Sequence, residues 1–147
     1  MRTLARVVAL GLLPAVLAGC TKPKPKATTA EKIVPEVTVT ADQLLADYKA
    51  NHIGADQKYK DKRVQITGPF AATGHVALAG DYIGIGSAHE GEFDVMCFLD
   101  KEDKVALDRA GMLKEGDTVN LVGICEGKVL GFTAVRLKFC FFADEQK

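Results

Sequence analysis

The spacing of hydrophobic positions changes period several times along the chain. Residues 7–18 form an apolar run interrupted only by Pro14. From Thr40 the apolar residues Ala41, Leu44, Leu45 and Tyr48 recur at helical spacing, which predicts a helix laying one stripe on a core. Thr40 and Gln43 are placed for a capping box, the hydroxyl taking a backbone N–H and the amide reaching back. Asn51-His52-Ile53-Gly54 predicts a break, and 55–59 a second helical turn. From Lys62 the period is two. Val64, Ile66 and Gly68 alternate with Arg63, Gln65 and Thr67, a half-buried strand expected to stop near Pro69. Residues 76–85 and 93–99 predict a second and third strand. Asp100 is expected to cap a helix running to about Lys114. Val119 and Leu121 mark a fourth strand, Glu126-Gly127-Lys128 a turn. Thr133, Val135, Leu137, Phe139 and Phe141 share one face of a fifth strand.

Helix, three strands, helix, two strands is the order of an OB-fold barrel, with a helix between strands three and four. A five-stranded open sheet with helices on one face has the same periodicity. Gly68, Gly84, Gly123 and Gly131 stand where a tightly coiled barrel needs bending or close approach.

The 147-residue chain has no net charge, but the charge is unevenly spread. Residues 1–39 hold six basic and two acidic residues, and 40–147 hold thirteen basic and seventeen acidic ones. A mildly acidic folded part disfavours nucleic acid as partner, because phosphate neutralisation supplies most of that affinity. Arg2 and Arg6 precede the apolar run, which is shorter than the roughly 20 residues of a spanning helix. The run reads as a signal segment. It ends in Leu17-Ala18-Gly19-Cys20, which resembles the lipobox of bacterial lipoproteins. That resemblance implies cleavage before Cys20 and a lipidated N-terminus carrying a diacylglycerol thioether and an amide-linked acyl chain. One acyl chain holds a protein only marginally, so more than one is physically sensible. The expected organisation is a signal peptide over 1–19, a tether over 20–39 and a folded domain over 40–147. The Lys-Pro alternation of residues 22–26 keeps a tether extended. Thr21 after the cysteine, where aspartate favours the inner membrane of enteric bacteria, implies an outer-membrane anchor facing the periplasm.

A family resemblance covers about residues 40–142. Residues 44–51, 55–62 and Val64-Gln65-Ile66-Thr67-Gly68 look like the start of the tRNA_anti-like family. Later matches are Val95-Met96-Cys97-Phe98, residues 113–119, Gly123-Ile124-Cys125-Glu126-Gly127 and residues 135–140. These are OB-fold domains of bacterial envelope proteins, many of them read as lipoproteins. The resemblance implies a five-stranded OB-fold barrel and brings no catalytic residue.

Cys97, Cys125 and Cys140 remain after lipidation, in a compartment where disulfides persist. Strands three and five of an OB barrel are parallel neighbours, which favours a Cys97–Cys140 bridge. Strand alternation places Cys140 opposite Phe139 and Phe141, so a bulge is needed to bring it to Cys97. Cys125–Cys140 across a long loop is the alternative. A bridge closing about 40 residues would add ~3–4 kcal/mol in the chain-entropy view.

His52, His75 and His89 have no ligand spacing, so no metal and no cofactor is expected. Gly84-Ile85-Gly86-Ser87-Ala88-His89 lacks the helix and lysine of a phosphate loop and reads as a connection. Ser87 and His89 have no third partner, and no enzyme is expected. Acidic residues at Glu90, Glu92, Asp94 and at Asp100, Glu102, Asp103 read as a solvated edge and a helix start. OB-folds bind ligands on strands two and three. Here that face would use His75, Tyr82, His89, Met96 and Phe98, beside acidic Glu92 and Asp94. An envelope protein, peptide or saccharide fits this face better than nucleic acid.

Overall fold

A computed structural model describes residues 34–86, 93–129 and 133–145. The chain first forms a short strand, β1 (Val37–Thr40), then two helices, α1 (Ala41–Ala50) and α2 (His52–Tyr59). Thr40 Oγ1 accepts the Gln43 N–H at 3.3 Å, as the capping pattern predicts. Gln43 does not reach back; its Nε2 donates to Asp47 at 2.7 Å. Asn51 closes α1 and opens α2, its Oδ1 accepting the Gly54 N–H at 3.0 Å. Leu44, Leu45, Tyr48, Ala55 and Tyr59 are buried, so both helices turn one face to the core. Asp47 ties them together: its carboxylate also accepts from Lys58 Nζ at 2.8 Å and from the Tyr59 hydroxyl.

The strands that follow are β2 (Arg63–Val76), β3 (Gly80–Ile85), β4 (Val95–Leu99), β5 (Thr118–Lys128) and β6 (Val135–Phe142). A helix α3 (Lys104–Met112) separates β4 from β5. The sheet order is β1-β2-β3-β4-β6-β5, and pairing of β2 with β5 closes β2 to β6 into a five-stranded barrel. β4 and β6 are parallel; the other barrel pairs are antiparallel. This is the OB-fold expected, with its helix between the third and fourth barrel strands, and the open-sheet alternative is excluded by closure.

Four expectations are corrected. Residues 37–39, read as the end of the tether, belong to β1, which pairs in parallel with Val64–Thr67 of β2. β2 does not stop near Pro69. Arg63–Pro69 pairs with β5 and Phe70–Val76 pairs with β3, so the residue lacking an N–H sits where the strand changes partner. Val76 therefore ends β2, and a turn separates it from β3. α3 starts later than expected, because Asp103 rather than Asp100 accepts the Ala106 N–H, at 3.0 Å. Finally, β5 runs through Glu126-Gly127-Lys128, which lies in the strand as a bulge with Gly127 at φ +82°.

The barrel interior is a continuous apolar core whose largest fully buried side chains include Tyr59, Phe142, Leu44, Ile66, Ile83 and Leu121. Gly123 shows why the wall needs glycine: a Cβ there would stand 2.5 Å from Cys140 Sγ. The bulge needed for Cys140 exists. Cys97 pairs with Leu137 and Leu99 with Cys140, so β6 spends one residue more than β4 over this stretch. Phe139 sits there at φ +53°. The extra residue reverses the alternation, burying Cys140 and Phe142 and leaving Phe139 60% exposed.

Candidate ligand-contact face

The outer side of β3 and β4 was the expected ligand face. Alternation turns Val95, Cys97 and Leu99 into the barrel and Met96 and Phe98 outwards, yet both outward side chains are buried. They form a second small apolar cluster with Ala134, under Val76, Ala79, Tyr82 and Phe93. The Tyr82 ring lies 5.7 Å from Phe93 and 5.6 Å from Phe98, centroid to centroid. The Arg136 guanidinium stacks 4.7 Å from the Phe98 ring and pairs with Glu126 at 3.3 Å. The middle of the face is thus occupied by its own side chains, and Phe98 is almost wholly covered.

One opening lies at an end of the face. A groove of about 370 Å³ runs between the β2–β3 turn, the end of β4 and the β6 bulge. His75, Leu78, Phe98, Lys101, Lys138 and Phe139 are among its lining residues. Leu78, in the turn, has φ +71° and is fully exposed. Phe139, across the groove, is the other apolar side chain held outwards on a left-handed backbone. Lys138 Nζ lies 5.9 Å from the Phe139 ring centroid and 3.4 Å from Glu126. His75 forms an exposed cross-strand pair with Asp81, Nδ1 to Oδ1 2.9 Å. Asp100, also at the groove, accepts the Glu102 N–H at 3.0 Å.

The structure therefore brings together His75, Tyr82, Met96 and Phe98 on one side of the barrel, with Met96 and Phe98 covered. His89, Glu90 and Glu92 lie outside the described residues, as do Ser87 and Cys20. Asp94 is half-buried at the opposite end of β4 from Lys101. The groove end of the face carries Lys101 and Lys138 beside Asp100 and Glu126, a mixed charge where the sequence suggested an acidic one. The missed contributors are Leu78, Lys101, Lys138, Arg136 and Phe139. One signal was available for the first: Val76-Ala77-Leu78-Ala79 is an apolar run immediately before a turn glycine.

Cys97, Cys125 and Cys140 are buried free thiols. The bulge brings Cys97 and Cys140, the expected bridge partners, onto the same side of the barrel, where they adjoin as free thiols. Burial pushes the Cys140 thiol up, and its contact with Cys97 pushes it further. Burial likewise raises Cys125, whose Sγ lies 3.8 Å from the Tyr48 hydroxyl. Thiols held protonated and out of solvent are poor nucleophiles. Among the described residues no three His, Cys, Asp or Glu side chains converge to hold a metal, and no helix is long and apolar enough to cross a membrane.

The tRNA_anti-like family model matches residues 3–139. A search of curated proteins returns no match. Among solved structures, the chain is similar to a protein of Klebsiella pneumoniae described as a candidate nucleic acid-binding lipoprotein. The identity is 17%, the TM-score is 0.54, and the similarity covers 71% of this chain and 89% of that one. At that identity the likeness concerns the fold.

Proposed function

Since the chain belongs to the tRNA_anti-like family, we propose that it is a lipid-anchored protein of the bacterial envelope whose OB-fold is a non-catalytic contact module. Its working surface is the groove between the β2–β3 turn, the end of β4 and the β6 bulge. One observation carries this reading: Leu78 and Phe139 are held out of the fold, both on left-handed backbone, over the same groove. Such backbone costs of order 1–2 kcal/mol for a residue with a side chain. Neither side chain repays that cost by packing in the core. Exposed apolar groups arranged together mark contact sites.

The anchor rests on Leu17-Ala18-Gly19-Cys20 and on the arginines and apolar run before it. Residues 1–19 are the signal peptide, Cys20 carries the lipid, and the stretch up to β1 is the tether. The lack of aspartate after Cys20 supports an outer-membrane anchor facing the periplasm. Cys20→Ser should move the protein from the detergent phase to the aqueous phase on partitioning of cell extracts. Unchanged partitioning would remove the lipid anchor from this reading.

A protein, peptide or saccharide ligand suits a groove with apolar walls and a few polar groups. A second reading, single-stranded nucleic acid, is favoured by Lys101 and Lys138 beside the exposed Phe139 ring, the pairing of cation and aromatic that such binders use. Titrating the chain with oligonucleotides, acidic peptides and oligosaccharides, and following backbone amide shifts, separates these. Shifts centred on Leu78, Lys101 and Phe139 support the groove as the contact surface. Shifts elsewhere would displace it, and no oligonucleotide binding at low salt would sink the nucleic-acid reading.

A further inference from the structure

We propose that the edge of β2 between Ala71 and His75 takes up an extended segment of a partner polypeptide as an added strand. This site is separate from the groove at the β2–β3 turn and does not rest on it. On one side, β2 pairs with β5 as far as Pro69 opposite Thr118. The loop after α3 extends that pairing only to Phe70, whose N–H donates to the Asp117 carbonyl at 2.7 Å and whose carbonyl accepts from Gly116 at 2.8 Å. Beyond Phe70 the strand pairs with β3 alone, on its other side. In an antiparallel pair alternate residues turn their N–H and C=O away from the partner strand. Among the described residues no group bonds to the outward-facing ones between Ala71 and His75. The edge also lacks the usual guards: it reads Ala-Ala-Thr-Gly-His, with no lysine and no proline. Such a row of main-chain donors and acceptors, alternating at strand spacing, is matched by another extended main chain and not by a saccharide or a nucleotide. A cleft of about 400 Å³ lies beside it, between Thr73, Gly74 and His75 and the α3 residues Leu107, Ala110 and Gly111. A Cβ on Gly111 would meet no atom within 4 Å, so the α3 wall stands back from this space. Successive side chains of a strand point to opposite faces. One set from the added segment enters the cleft against Leu107 and Ala110, which selects small apolar residues at every second position.

The test follows amide signals and amide hydrogen exchange of the full chain. The probe is a soluble strand-forming peptide, acetyl-Lys-Thr-Val-Thr-Val-Thr-Lys-amide, which places valine at every second position. In the free chain, alternate amides between Ala71 and His75 should exchange as fast as those of exposed loops. Excess peptide should slow that exchange and shift the signals of residues 71–75 together with Ala110 and Gly111. The same peptide N-methylated throughout keeps its side chains and loses its N–H donors. It should bind about tenfold more weakly or less, since a single lost hydrogen bond approaches that factor. Gly111→Leu fills the cleft from an open helical position, and Thr73→Lys puts a guard on the edge at an exposed site. Each should weaken binding of the unmethylated peptide about tenfold while the melting temperature holds. Equal binding of the two peptides, shifts that spare residues 71–75, or undiminished binding by both variants overturns the inference, and none of these bears on the groove at the turn. Slow exchange of all the edge amides in the free chain also overturns it. Protection that is lost on dilution would assign the edge to a second copy of the chain, and protection independent of dilution would assign it to the chain's own tether.

Discussion

At Asp47 three donors meet one carboxylate: the Gln43 amide, the Lys58 ammonium and the Tyr59 hydroxyl. The hydrogen bond from Lys58, then those from Tyr59 and Gln43, hold the carboxyl down to about 2 against 3.8 for a free aspartate. A carboxyl depressed in the folded state favours folding above the unfolded value and loses that contribution as pH falls through the folded one. Urea denaturation should therefore show stability declining as pH is lowered from about 4 towards 2, with Asp47→Asn flattening that part of the profile. An unchanged slope in the variant would place the acid sensitivity elsewhere. Lys58 is 56% exposed, so the ion pair itself contributes little, and most of the loss in Asp47→Asn should come from the buried end at Tyr59. The helical stripe that positions these residues is legible in the sequence because Ala41, Leu44, Leu45 and Tyr48 obey one period. Phe139 is not legible. Val135, Leu137, Phe139 and Phe141 keep an unbroken alternation, and only the left-handed backbone at residue 139 reverses the faces. A period-two pattern contains no mark of an inserted residue.

Among the elements, β4, β5 and β6 each bring one cysteine into the barrel. Cys97 and Cys140 meet across the parallel pair, and Cys125 lies beside Tyr48 under α1. With all three fully buried and two of them pushed up by burial, the native chain should resist alkylation at mildly alkaline pH. Modification of all three should appear together on unfolding, as read by mass spectrometry with and without denaturant. Rapid labelling of one thiol in the native chain would mean that the barrel opens locally at its strand. The strand expectations failed for identifiable reasons. Val37 and Val39 form too short an alternation to stand out beside Pro35, and β1 exists because β2 offers a free edge next to residues 64–67. Pro69 reads as a stop because proline removes a ladder N–H. Here the strand exchanges β5 for β3 at that residue, so the loss falls at a corner. The start of α3 is displaced because three acids within four residues, Asp100, Glu102 and Asp103, all suit a helix entry. The Asp100 carboxylate accepts the Glu102 N–H in a turn of its own, which leaves Asp103 as the cap.

On the scale of the molecule, barrel order and helix placement are legible because OB topology leaves its trace in the order of periods along the chain. The charge distribution on the contact face is not. The acidic residues that colour the sequence near β4 include Asp94 at one end of that strand and Asp100 at the other, the latter engaged in a turn, while Lys101 from the β4 end and Lys138 from β6 converge on the groove only through folding. The composition of neighbouring residues therefore does not reveal the two lysines brought to the groove.

The parallel pairing of β1 with β2 has a consequence for reach. Val37 lies beside Val64, near the beginning of β2, whereas the apolar turn follows its end at Val76. The chain thus enters the barrel at the start of β2, a strand's length along the chain from the turn. Fourteen residues of strand span no more than about 45 Å, since each advances roughly 3.3 Å. The stretch from Cys20 to Glu36 spans up to about 55–60 Å when fully extended. On the proposed lipid anchor at Cys20, that stretch is longer than β2, so the domain is free to turn either end of that strand towards the membrane. On the same proposal, a stretch cut shorter than β2 would remove that freedom.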